Sequence, residues 1–122
     1  METIAIFASG NGTNAEALVH YLTNIDDISV ALIATDNPHA GVLQRAERLG
    51  VRSLVFQRKE MANVAFAEQL REQYQVTAIV LAGFLAAPHC LDEAWLIFCD
   101  LLHLIQCCRY ISMGISVCFC TL

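Results

Sequence analysis

Apolar residues along this chain switch repeatedly between two spacings. Thr3–Ala8 (TIAIFA) is a short, nearly uniform apolar run with β-branched residues, closed by Ser9-Gly10-Asn11-Gly12, and predicts a buried strand. Asn14 to Leu22 then places Leu18, Val19 and Leu22 at helical spacing. Ile28–Ala34 (ISVALIA) predicts a second strand, ended by the turn residues Thr35-Asp36-Asn37-Pro38. From Ala40 to Leu49, residues Val42, Leu43, Ala46 and Leu49 form one helical face, with Gly50 as its C-terminal cap. Ser53–Phe56 predicts a short third strand. Glu60–Tyr74 predicts the longest helix, with Ala62, Phe66, Leu70 and Tyr74 in one row and charges opposite. Thr77–Ala82 (TAIVLA) predicts a fourth strand, closed by Gly83. Strands apolar throughout, alternating with helices, predict an α/β fold with an open, doubly wound parallel sheet covered on both faces.

The pattern changes after Trp95. Residues 96–122 hold one Asp, one Arg, no Glu or Lys, and five cysteines. Asp100, His103, Gln106 and Arg109 interrupt the apolar residues, so no clean membrane span forms, and helical periodicity is weak. The chain is therefore divided into an α/β portion over 1–95 and an atypical, cysteine-rich apolar tail over 96–122. Cys118-x-Cys120 and the adjacent Cys107–Cys108 do not match zinc-ligand spacings, so no metal is expected and free thiols are the default.

Length and charge narrow the class. A chain of 122 residues suits one domain and buries roughly two-thirds of its unfolded surface. With 57% apolar and 16% charged residues it is not a disordered segment. A net charge of −5 argues against a nucleic-acid partner held by bulk charge, but not against a phosphorylated small molecule held by a local loop. Glu2 in place of basic residues after Met1, and an apolar run too short for a leader, predict a cytoplasmic protein.

The loop Ser9-Gly10-Asn11-Gly12-Thr13-Asn14 is the strongest chemical feature. Gly10 and Gly12 permit close backbone approach, and Thr13 and Asn14 fall where a helix start offers unpaired amides to an anion. A plain tight turn with an Asn or Thr cap is the simpler alternative. Gly10 to Ala15 also satisfies the loose dinucleotide pattern G-x-G-x-x-A, with Asp36 after the second strand where a ribose-binding acid would stand. Asp36 enters Asp-Asn-Pro, however, which more often serves turn chemistry.

The run IAIFASGNGTNAEAL resembles the opening of the glycinamide ribonucleotide formyltransferases, whose first strand ends in Ser-Gly-x-Gly-(Ser/Thr)-Asn. Thr35 to Ala46 is similar to that family's second loop and helix, and Ile79-Val80-Leu81-Ala82-Gly83-Phe84-Leu85 to its closing Val-Leu-Ala-Gly-Phe-Met/Leu segment. The three matches occur in order and cover about three-quarters of the chain, a Rossmann-like formyltransferase fold by resemblance. The resemblance implies formyl transfer from 10-formyltetrahydrofolate to the amine of glycinamide ribonucleotide in purine synthesis. It implies that Gly12, Thr13 and Asn14 bind the ribonucleotide phosphate, that Leu85, Ala86, Ala87 and Pro88 line the folate pocket, and, more loosely, that Asn63 stands near a further folate contact. Leu85 and Phe84 also read as ordinary core at a strand end. A non-catalytic phosphate- or dinucleotide-binding module is the competing reading.

The family's catalytic Asn-x-His-Pro segment belongs near positions 102 and 104, where this protein has Leu102 and Leu104 around His103. No Asn or Pro follows Trp95, and the later Asp is absent. No catalytic residue is therefore assigned. General acid–base help is worth roughly 10²–10⁴-fold, or about 3–5 kcal/mol of barrier, and oxyanion stabilisation a similar amount, so a truncated, inactive protein is expected. The joint loss of motif and charge with the gain of cysteine leads to the hypothesis that residues after about 95 derive from a shifted reading frame, with a divergent tail as the alternative.

Overall fold

A computed structural model describes residues 2–82 and, for the backbone, 117–121. Its elements are β1 (Glu2–Phe7), α1 (Thr13–Leu22), β2 (Ile28–Thr35), α2 (Val42–Leu49), β3 (Arg52–Val55), α3 (Val64–Glu68), β4 (Ala78–Ala82) and β5 (Val117–Thr121). The sheet order is β3-β2-β1-β4-β5. β1 to β4 are mutually parallel, as the apolar strands predict.

Both faces of the sheet are covered because successive side chains of each strand point opposite ways. Ala5, Phe7, Leu32, Ala34, Ile79 and Leu81 face one side, against Phe56, Met61, Phe66 and Leu70. Ile4, Ile6, Ile33, Ala78 and Val80 face the other, against Ala15, Val19 and Leu22 of α1 and Val42 and Ala46 of α2. Helices on opposite faces make the sheet doubly wound. One irregularity lies in β2, where the pairing with β1 slips between Ile4↔Val30 and Ala5↔Leu32, leaving Ala31 as an extra residue. The bulge lets Val30 and Ile33 pack against the same face, which strict alternation would forbid.

Element ends follow local chemistry. Gly50 stops α2 in the left-handed region at φ 71°; its amide donates to Glu47 O (3.1 Å) and that of Val51 to Ala46 O (3.0 Å), a Schellman closure. The expected helix over Glu60–Tyr74 is instead three pieces. A 3-10 helix spans Arg58–Ala62, α3 follows, and a π-helical turn covers Gln69–Gln73. The break is at Asn63, whose extended backbone ends the first piece and whose Oδ1 accepts from the Ala65 amide at 2.9 Å to start the second. Glu60 does not open a helix: its carboxylate turns back to the Gln57 amide at 2.6 Å.

β5 pairs antiparallel with β4, Ala82↔Val117 through Ala78↔Thr121. Part of the tail thus adds an edge strand to the sheet, an element its weak periodicity did not predict. Gly83, Phe84, the folate-lining Leu85, Ala86, Ala87 and Pro88, and residues 89–116 lie outside the described residues. Among the described residues, no helix is long and apolar enough to cross a membrane.

Candidate functional site

The fold reverses its direction of winding between β1 and β4: β2 and β3 lie on one side of β1, β4 on the other. In open α/β sheets, ligands settle outside the carboxyl ends of the strands at such a reversal. The segment leaving β1 there is Ala8 to Gly12, and the neighbouring segment leaves β4 after Ala82. The glycine loop therefore leaves β1 at the end of the sheet where its parallel neighbour β4 also finishes.

The loop is held from three sides. Ala8 donates to Ala34 O at 3.0 Å, and buried Ser9 donates its hydroxyl to Asp36 Oδ1 at 2.9 Å, joining the ends of β1 and β2. Val42, at the start of α2, donates to Gly10 O at 3.2 Å. Arg45 Nε donates to Asn11 O at 2.7 Å. Gly12 then enters α1 with φ 82°, so close to α2 that a Cβ would lie 2.5 Å from Val42 Cγ2 and 2.9 Å from its Cα. Only glycine satisfies both the backbone angle and the contact.

α1 starts at Thr13 with no hydrogen bond from a capping side group, so the plain Asn- or Thr-capped turn is not what forms here. The first bond into the helix is Glu16 N–H to Gly12 O at 2.9 Å. Among the described residues, the amides of Gly12, Thr13, Asn14 and Ala15 donate to no acceptor. Those amides and the positive end of the helix dipole suit an anion of phosphate size. Asp36 is engaged by Ser9 and belongs to a turn in which Asn37 Oδ1 accepts from the His39 amide at 2.9 Å. The turn bonds are thus made by Thr35 and Asn37, while the Asp36 side chain ties the end of β2 to that of β1. Asn63 caps α3 through its Oδ1 and lies on the opposite face of the sheet from α1.

The bracing of the loop was not foreseen from the sequence. Glu16 on α1 pairs with Arg45, and with Arg48 at 2.6 Å, so the helix that starts at the loop is clamped to α2. His20 Nε2 stands 3.8 Å from the same carboxylate. The Arg48 and Arg45 guanidiniums hold the Glu16 carboxyl below its ordinary value. A carboxyl lowered on folding stabilises the fold above its unfolded value, and that stability is lost as pH falls through the folded one. Glu16→Gln is thus expected to lower the urea midpoint at neutral pH, with the gap to the parent closing in acid. A gap that persists once carboxylates are protonated would count against the ion-pair account.

No protein-family model matches the sequence. A phosphoribosylglycinamide formyltransferase of Bacillus subtilis is 41% identical over 90 residues, 70% of this chain and 46% of that protein. The crystal structure of glycinamide ribonucleotide transformylase 1 from Geobacillus kaustophilus superposes with a TM-score of 0.61 at 34% identity, over 79% of this chain and 52% of that one. The phosphoribosylglycinamide formyltransferase of Streptococcus pneumoniae gives 0.60 at 34% identity, over 79% and 51%. The chain spans about half the length of these relatives, and the part it matches is their amino-terminal portion. With the strand order, the glycine loop and these likenesses in agreement, this chain belongs to the phosphoribosylglycinamide formyltransferase family, of which it carries the amino-terminal portion.

Proposed function

We propose that this protein binds the phosphate of glycinamide ribonucleotide through the amides of Gly12, Thr13 and Asn14, and that its family's reaction is formyl transfer from 10-formyltetrahydrofolate to the ribonucleotide amine. The observation that carries the reading is the row of amides at the start of α1 that meet no acceptor among the described residues, held at the reversal point of the sheet. The side chains of this loop add no cation, so recognition rests on backbone amides and the helix dipole, and bulk charge contributes little. Leu85, Ala86, Ala87 and Pro88, which follow β4, are the proposed folate-lining segment. Residues 1–95 would be the family's α/β portion, in the cytoplasm, and 96–122 a tail that does not continue the enzyme.

That tail lacks the Asn-x-His-Pro segment, so binding without turnover is the expected behaviour. Calorimetric titration should show glycinamide ribonucleotide binding in preference to NAD, and preference for NAD would overturn the substrate reading. Assay of the same preparation with 10-formyltetrahydrofolate should show no formylated product above the uncatalysed rate. Turnover by the purified protein would refute the inactivity while leaving the phosphate site standing.

A further inference from the structure

We propose that Asn11 is a site of spontaneous deamidation, and that its conversion to aspartate or isoaspartate switches off the anion-binding loop. The second part rests on the phosphate site proposed above; the first does not. The reaction is attack of the Gly12 amide nitrogen on the carboxamide carbon (Cγ) of Asn11. A new bond from that nitrogen to Cγ closes a five-membered imide. The bond from Cγ to Nδ2 breaks, and ammonia leaves with the proton given up by the Gly12 amide. Water then adds to either imide carbonyl. Aspartate results when the bond from Cγ to the Gly12 nitrogen is cut, and isoaspartate when the original backbone bond is cut.

Three features select this position. The sequence has five asparagines, and Asn11 alone precedes a glycine, which offers no side group to hinder the attacking nitrogen. Asn24 and Asn63 precede the β-branched Ile25 and Val64, Asn37 precedes Pro38, which has no amide proton, and Asn14 lies within α1. Asn11 is exposed, and neither its carboxamide nor the Gly12 amide is tied down by a hydrogen bond among the described residues. Finally, the Asn11 backbone oxygen accepts from Arg45 Nε at 2.7 Å. That oxygen shares the negative charge when the Gly12 nitrogen loses its proton, so the guanidinium favours the attacking anion.

The product works against the site in two ways. A carboxylate arrives one residue before the amides proposed to hold phosphate, where it takes up the positive end of α1 itself and repels the ligand. Isoaspartate also inserts a methylene into the backbone just before Gly12, which has no space to move toward Val42.

The test incubates the full-length protein in mildly alkaline buffer, folded and in denaturing urea, with peptide mapping and an isoaspartyl methyltransferase assay at intervals. Binding of ribose 5-phosphate is followed on the folded samples, with Asn11→Ser as the resistant control. Conversion confined to Asn11, at a rate in the folded protein comparable to the denatured one, is the expected result. Binding by the parent should decline in proportion to conversion, while Asn11→Ser keeps it through the same incubation. Asn11 left intact in the folded protein while the denatured form reacts overturns the site, and undiminished binding after full conversion overturns the switch. If the fresh protein ignores ribose 5-phosphate, the phosphate reading and the switch fall together, whereas the mapping still judges the modification.

Discussion

Gly12→Ala is expected to lower the stability of the protein by about 2–5 kcal/mol and to abolish sugar-phosphate binding in whatever fraction still folds. Two separate costs combine. A residue with a Cβ held at φ 82° loses roughly 1–2 kcal/mol to the left-handed backbone. The new methyl would also stand 2.6 Å from Val42 Cβ and 2.9 Å from its Cα, an overpacking that costs about 1–3 kcal/mol more. Because one of those contacts is backbone, relief requires α2 to move from the loop, which would pull Val42 N–H from Gly10 O and Arg45 from Asn11. Two companion substitutions separate the causes. Gly50→Ala meets nothing within 4 Å but keeps the positive φ, so it should show the backbone cost alone. Gly10→Ala meets nothing and has no positive φ, so it should stay within about 0.5 kcal/mol of the parent. Urea denaturation of the three variants gives the ranking. Gly12→Ala no worse than Gly50→Ala would refute the close approach of α1 to α2.

A comparable loss, about 3–5 kcal/mol, is expected for Phe7→Ala. Phe7 is fully buried on β1, inside the sheet, with neighbours paired on both sides. Its ring lies 5.3 Å from that of Phe56, and Phe56 stacks at 5.0 Å on Phe66 of α3. This aromatic row ties the central strand to the turn after β3 and to the covering helix. Truncating Phe7 leaves a cavity and ends its ring contact with Phe56, itself worth about 0.5–1.5 kcal/mol. Val64→Ala, on the same helix as Phe66 but 52% exposed, should be nearly neutral. Equal effects of the two substitutions in urea melts would mean that this face of the sheet is not the packed core described.

β1, β2 and β4 were legible because each is short, largely apolar on both sides and closed by glycine or turn residues. The bulge at Ala31 was not. In a strand buried on both faces there is no polar residue to reveal that the alternation has slipped. The helix over Glu60–Tyr74 was misjudged for a different reason. In the sequence Ala62 and Phe66 keep helical spacing across the break, while Asn63 reads equally well as an interior polar residue and as the cap it proves to be. At the site, the glycines announced the loop, but its bracing by Arg45 joins residues 34 positions apart. The one hint was that Arg45 lies in the Thr35–Ala46 stretch that resembles the family. β5 was hidden by a tail with no regular alternation, in which neither period could be read.

The polarity of that last strand has a bearing on how the pocket can be completed. A parallel neighbour of β4 would deliver its outgoing residues to the ligand end of the sheet, where loops exchange protons and bind substrates. β5 travels the other way, so Val117 starts beside Ala82 and Thr121 arrives beside Ala78, at the base. This edge strand therefore runs from the loop end of the sheet to its base, opposite in direction to β1 and β4.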